Sequence, residues 1–321
     1  MKISKEKLIT ESQATGFRPE ILEKVIHLLN LLDGFQSHPF LKNRFVLKGG
    51  TALNLFFFDL PRLSVDIDLN YIGGSSREVM LAERPKIEQA VQAVCSREGM
   101  RVTRQPTEHA GGKWRLQYDS SLGEGGNIEV DLNFVFRVPL WSPLLLESKR
   151  VCSYSSKKIP VLDLHELAAG KLAALLARQA SRDLFDAHLL LTQGNLQRDK
   201  LRLGFVLYGA MNRRDWRKIS TDDLDYNVHE LKNQLIPVLR NGFLPKEEVN
   251  SWIERLIKEC RTKLEIVLPL TELEIEFLNA ILDHGEIRPE LLTENQTLIQ
   301  LIQTHPLLHW KSMSVQKNKN K

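Results

Sequence analysis

Two hydrophobic periods divide the chain. Up to about residue 160, short segments alternate apolar and polar positions or form brief apolar runs, with helix-period stretches between them. Beyond Val161 the helical period takes over almost completely. A helix opens at Pro19, a residue suited to the first turn. It carries Ile21, Leu22, Val25, Ile26, Leu28, Leu29 and Leu32 at helical spacing and stops at Asp33-Gly34. A second helix covers residues 77–98, with Val79, Leu81, Ile87, Val91 and Val94 as its stripe and Gly99 as its stop. Residues 45–47, 65–69, 101–104, 113–118 and 127–136 read as strands. In the second half, Asp163-Leu-His-Glu166 and Thr271-Glu-Leu-Glu274 have the form of capping boxes, an acceptor followed three residues later by Glu. The pattern predicts an α+β chain: a first domain over residues 1–160 with a small mixed sheet, then a helical domain over residues 161–321, ending in a frayed basic tail.

The densest chemistry lies in residues 45–71, FVLKGGTALNLFFFDLPRLSVDIDLNY. An apolar strand runs into Gly49-Gly50-Thr51, and a helical segment follows until Pro61. Glycines at a helix N-terminus let backbone N–H groups and the positive dipole end approach an anion. In Val65-Asp66-Ile67-Asp68-Leu69, residues two apart share one face of a strand. Asp66 and Asp68 then stand about 7 Å apart, from a rise of ~3.3 Å per residue. Repelling carboxylates beside a phosphate cradle call for a hard cation, and Mg²⁺ takes one or two carboxylates plus substrate phosphates. A third carboxylate is expected from a neighbouring strand. Residues 127–136 alternate again and offer Asp131, with Glu129 as the reserve. On the helix opened by Asp163, Lys171, Leu175 and Arg178 share one side, and Arg182 extends that line. Asp183 and Asp186 follow one turn apart and could orient Lys171 or Arg178 by ion pairing. Ser64, two residues before Asp66, would face the metals, so phosphorylation there would add negative charge and silence the site.

Composition narrows the setting. No apolar run approaches the ~20 residues of a membrane span, and residues 1–20 lack a signal-peptide core. Three scattered cysteines, Cys95, Cys152 and Cys260, fit a reducing cytoplasm. The net charge is +4, and residues 1–160 carry the whole surplus, 22 basic against 18 acidic. Arg137, Lys149, Arg150, Lys157 and Lys158, against Glu147 alone, suit a polyanion. Residues 212–218, with Arg213, Arg214, Trp216, Arg217 and Lys218, mix charge and an aromatic as single-stranded nucleic-acid grips do.

The motifs in combination resemble the AbiEii/MenT-like nucleotidyltransferases, toxins of bacterial toxin–antitoxin and phage-defence systems. The resemblance rests on Lys48-Gly49-Gly50-Thr51-Ala52-Leu53 with Arg62-x-Ser64-x-Asp66-Ile67-Asp68-Leu69, on Glu129-x-Asp131, on Lys171-Leu172-x-Ala174-x-x-x-Arg178, and on Arg182-Asp183-Leu184-Phe185-Asp186. It implies a DNA polymerase β-like nucleotidyltransferase fold followed by a helical domain. It also implies Mg²⁺-dependent transfer of a nucleotide from an NTP to RNA, the 3′ end of tRNA being the acceptor of related toxins, and a cognate antitoxin. The expected roles are metal ligation by Asp66, Asp68 and Asp131, phosphate contacts from Gly49, Gly50, Thr51, Arg62 and Arg178, and charge neutralisation by Lys171, positioned by Asp183. Transfer to a protein, γ-phosphate transfer, or an RNA-binding member without activity are the alternatives.

Overall fold

The computed structural model describes residues 3–59, 61–178, 180–225, 227–244 and 248–319. Contacts divide the chain into two units, residues 1–162 with 236–245, and residues 163–235 with 246–321.

The first unit is built on a seven-stranded mixed sheet. Its strands are β1 (Phe45–Lys48), β2 (Asp66–Tyr71), β3 (Arg101–Arg104), β4 (Gly111–Asp119), β5 (Gly125–Asn133), β6 (Leu144–Leu146) and β7 (Ile159–Val161), in the order β3-β4-β5-β2-β1-β7-β6. β2 runs parallel to β5, and β1 parallel to β7; the other neighbours are antiparallel. The period-two pattern sets which face is buried. Ile67, Leu69 and Tyr71 of β2 and Ile128, Val130 and Leu132 of β5 are buried, while Asp66, Asp68, Glu129 and Asp131 reach solvent in part.

Helices α1 (Lys5–Thr15), α2 (Pro19–Ser37) and α4 (Arg77–Arg97) belong to this unit, with α3 (Gly49–Ala52) continued by a wider turn over Leu53–Phe57. α2 outruns its expected end at Gly34. That glycine lies where α2 meets α4, and a Cβ there would stand 2.7 Å from Val94 Cγ1. Val79, placed on the apolar stripe of α4 by spacing, is 45% exposed. β5 stops at Asn133 because its Oδ1 accepts from the N–H groups of Val135 and Phe136 and turns the chain. The three-residue strands β6 and β7 have no counterpart in the sequence reading. Residues 236–245 join this unit by main-chain bonds: Leu63 N donates to Val238 O at 3.0 Å, and Arg240 N to Pro61 O at 3.0 Å.

The second unit is helical. α5 (Leu164–Arg178), α6 (Ser181–Gln193) and α7 (Arg198–Ala210) pack with α5 against both others, and Val249–Lys263 packs on α6. The capping box at Thr271–Glu274 forms, and Glu274 also receives the buried Arg202, with Nε at 2.9 Å and Nη2 at 2.5 Å. The first capping box forms only in part. Asp163 Oδ1 accepts from His165 N at 2.9 Å, but the buried Glu166 carboxylate takes the Tyr208 hydroxyl at 3.1 Å. The expected tail is a helix, Pro306–Lys319, with Leu307 and Leu308 buried. At residues 212–218, where the nearby acidic run Asp222, Asp223 and Asp225 already argues against a basic patch, the aromatic is not exposed. Trp216 is fully buried, its ring 5.1 Å from Phe205, while Arg214 pairs with Asp223 and Arg217 with Asp215 and Asp283. Among the described residues, no helix is long and apolar enough to cross a membrane.

Candidate active site

Strand register places the acidic residues. β2 and β5 align Asp68 with Asp131 and Asp66 with Glu129, so the four carboxylates occupy two adjacent rows on one sheet face. The outer strands add cations to those rows. β1 sets Lys48 opposite Asp68, and β4 sets Lys113 opposite Asp131 and Arg115 opposite Glu129. One row across the sheet therefore reads Lys48, Asp68, Asp131, Lys113, and the next reads Asp66, Glu129, Arg115.

The two candidates for the third carboxylate differ in their surroundings. Glu129 is held by Lys113 Nζ at 2.7 Å and Arg115 Nε at 3.1 Å. The Lys113 hydrogen bond, then its charge and Arg115, keep Glu129 below the ordinary carboxylate range against the cost of burial. Asp131 forms no ion pair among the described residues. Burial pushes its pKa up, with Asp68 and Glu129 adding repulsion and Lys48 and Lys113 opposing.

Gly49 brings the helix start onto this row. Its φ of +72° lies in the left-handed region, and a Cβ added there would stand 2.1 Å from Asp68 Oδ2. A side chain and the Asp68 carboxylate cannot share that space. The first-turn N–H groups of Gly49, Gly50 and Thr51 have no acceptor within their own helix. The Thr51 hydroxyl serves another purpose: it is fully buried and donates to the Asp66 carbonyl, fastening the helix to β2. Asn54 Nδ2 donates to Gly50 O at 2.8 Å and fixes the same turn. Arg62 is only 2% exposed, donates weakly to Leu63 O at 3.4 Å and bridges to Leu239. Ser64 is also buried, at 7% exposure.

The basic line of the second unit is an ion-paired cluster. Lys171 Nζ lies 2.8 Å from Asp183 Oδ1 and 3.0 Å from Asp186 Oδ2, and Arg178 Nε lies 2.7 Å from Asp183 Oδ2. Helix spacing explains it: Lys171 and Arg178 share a side of α5, and Asp183 and Asp186 share a side of α6. Asp183 and Asp186 are buried, Lys171 is nearly so, and Arg178 is 66% exposed. Burial alone would raise the Asp183 pKa; Lys171 and Arg178 more than reverse it, and the carboxyl sits below its ordinary value.

Sequence reading gave no role to Lys48, quoted only within the glycine motif, nor to Lys113 and Arg115. The place of Lys48 depends on the β1–β2 register and that of Lys113 and Arg115 on the β4–β5 register, neither of which a local pattern displays. Among the described residues, no group of three or more His, Cys, Asp or Glu side chains is drawn together around a metal-sized point. The in-register pair Asp68 and Asp131 nevertheless supplies hard oxygens in the number that Mg²⁺ commonly takes from protein, the rest of its shell being phosphate and water. The donor set fits such an ion.

Residues 30–270 match a family model described as nucleotidyl transferase AbiEii toxin, type IV TA system. Comparison with curated proteins by sequence gives no match. Among solved structures, the chain resembles MenT4, a nucleotidyltransferase toxin from Mycobacterium tuberculosis H37Rv. The TM-score is 0.62 at 20% identity, over 94% of this chain and 99% of that one. At that identity the likeness is one of fold.

Proposed function

The chain belongs to the AbiEii nucleotidyl transferase toxins of type IV toxin–antitoxin systems, and on that premise we propose that it transfers a nucleotide from an NTP to the 3′ end of an RNA, tRNA in particular. The observation that carries the reading is the in-register pair Asp68 and Asp131 beside the Gly49 turn. We assign the first unit to the DNA polymerase β-like nucleotidyltransferase fold. In support, the Asp-x-Asp strand and the strand of the third acid run parallel and adjacent.

Asp66, Asp68 and Asp131 would hold two divalent cations, Mg²⁺, which when bound would lower the pKa of an attacking hydroxyl and neutralise phosphate charge. The main-chain N–H groups of Gly49 to Thr51 hold the β- and γ-phosphates. The acceptor hydroxyl oxygen forms a bond to the α-phosphorus, the bond from that phosphorus to the β-phosphate oxygen breaks, and pyrophosphate leaves. The hydroxyl proton passes to solvent. By the resemblance, Lys171 and Arg178, oriented by Asp183, supply the charge neutralisation that such a transfer needs. Burial of Arg62 and Ser64 gives Arg62 a supporting part beside β2, and makes modification of Ser64 depend on opening of the segment before that strand. A cognate antitoxin follows from the type IV system.

Substitution separates these roles. Asp68→Asn should abolish labelling of RNA from α-labelled NTP while leaving the folded spectrum intact, and Lys171→Met should abolish it with a lowered urea midpoint, because Asp183 and Asp186 lose their buried partner. Undiminished labelling in either variant removes that residue from the mechanism.

A further inference from the structure

Four acidic side chains face one side of β2 and β5, and the cations of β4 converge on one of them. Register sets Lys113 opposite Asp131, but its ammonium lies on Glu129, two residues earlier, at 2.7 Å from Oε2. Arg115, the direct partner of Glu129, takes Oε1 at 3.1 Å. Both oxygens of Glu129 are thus covered, while Asp68 and Asp131 make no ion pair among the described residues.

Stability does not account for this clamp. Lys113 and Arg115 side chains are 54% and 56% exposed. Ion pairs so open to solvent add little to folding stability. What the clamp changes is the number of ligands on offer. Mg²⁺ takes one or two protein carboxylates and needs its remaining positions for phosphate oxygens and water. A freed Glu129 would stand beside Asp66 in its row and one residue pair from Asp131, as a fourth anion. It would compete with the triphosphate for the cation's shell.

We propose that Lys113, backed by Arg115, is a positioning residue that withholds Glu129 from the cation, so that the face offers Asp66, Asp68 and Asp131 and keeps coordination sites for the nucleotide. The inference rests on the reading of this face as the cation site.

The test is a double-mutant cycle on the full chain, with Mn²⁺ as the probe and affinity read by calorimetry or electron paramagnetic resonance. The four proteins are wild type, Lys113→Met, Glu129→Gln and the double variant. With Glu129 present, loss of Lys113 should tighten Mn²⁺ by about tenfold or more, because a carboxylate joins the shell. In the Glu129→Gln background, the same loss should act only through the charge of Lys113 opposite Asp131, with no added ligand and by a smaller factor. A Mn²⁺ complex of Lys113→Met should show the Glu129 carboxylate on the ion. Equal factors in both backgrounds, or a Glu129 that stays off the ion, overturn the inference while leaving the cation site standing. A wild type that takes up no Mn²⁺ overturns the cation site itself, and the inference with it.

Discussion

Asp68 and Asp131 are direct cross-strand partners on the parallel strands β2 and β5, and the Cα of Gly49 lies against the Asp68 carboxylate. Cations ease the charge repulsion between such neighbours, and Lys48 and Lys113 stand at the two ends of their row, the Lys113 ammonium being held by Glu129. Both acids are partly open to solvent. Replacing either by Asn should therefore remove function and not fold. Nucleotidyl transfer should fall by about a hundredfold or more in each, since even residues behind a metal ligand are worth 10–100-fold. Steady-state rates and circular dichroism check this together.

Gly49→Ala should damage both stability and activity. The left-handed backbone costs a side-chain-bearing residue about 1–2 kcal/mol. The added methyl also collides with Asp68 Oδ2, so the carboxylate must leave its row. Urea denaturation should show the loss of stability, and RNA labelling should fall with it. Full activity in the Gly49→Ala protein would mean that the close approach is incidental.

Acid should weaken the second unit through Asp183. Its pKa in the folded protein lies below the ordinary value, held there by Lys171 and Arg178 against burial. A depressed carboxyl contributes stability that is complete above its unfolded pKa and is lost as pH falls through the folded one. Lys171→Met removes the main opposing charge and raises the folded pKa, so that variant should be less stable at neutral pH and should lose less stability, or gain some, as the pH falls. Urea midpoints measured from pH 7 down to pH 3 show whether the two curves converge in acid. At neutral pH, Asp183→Asn leaves Lys171 nearly buried with one partner fewer, and should cost about 3 kcal/mol.

The buried pair Arg202 and Glu274 makes a contrasting prediction about stability alone. Glu274 accepts Thr271 N at 2.7 Å as a helix cap and receives Arg202 as well. Glu274→Ala should destabilise the second unit by about 3–5 kcal/mol, because it strands a buried guanidinium. The unfolding midpoint reads this directly. A shift near zero would show that the other acceptors of Arg202, the carbonyls of Ile266 and Pro269, suffice.

Much of this arrangement could be read from the sequence because period and spacing are local. Alternation in residues 65–69 and 127–132 fixed which side of each strand is acidic. Helical spacing put Lys171 and Arg178 on one side, and a one-turn separation paired Asp183 with Asp186. Features that depend on distant register were hidden. Lys113 acquires its partner only when β4 folds back on β5. Residues 236–245 join the first unit through main-chain bonds to residues 61 and 63 that leave no side-chain pattern. The strands β6 and β7 are too short to show a period. At Trp216 and its basic neighbours, composition does not distinguish an exposed grip from a buried ring with paired arginines.

This chain should move the α-phosphate and its nucleoside to RNA through the carboxylates of β2 and β5. Purified protein, total RNA and Mg²⁺ incubated with each NTP, labelled in turn at the α- and the γ-phosphate, test it most directly. The expected result is label on a small RNA from an α-labelled NTP, release of the γ-label as pyrophosphate, and neither in Asp68→Asn. Label carried to RNA from the γ-position, label found on protein alone, or full labelling by Asp68→Asn would contradict it.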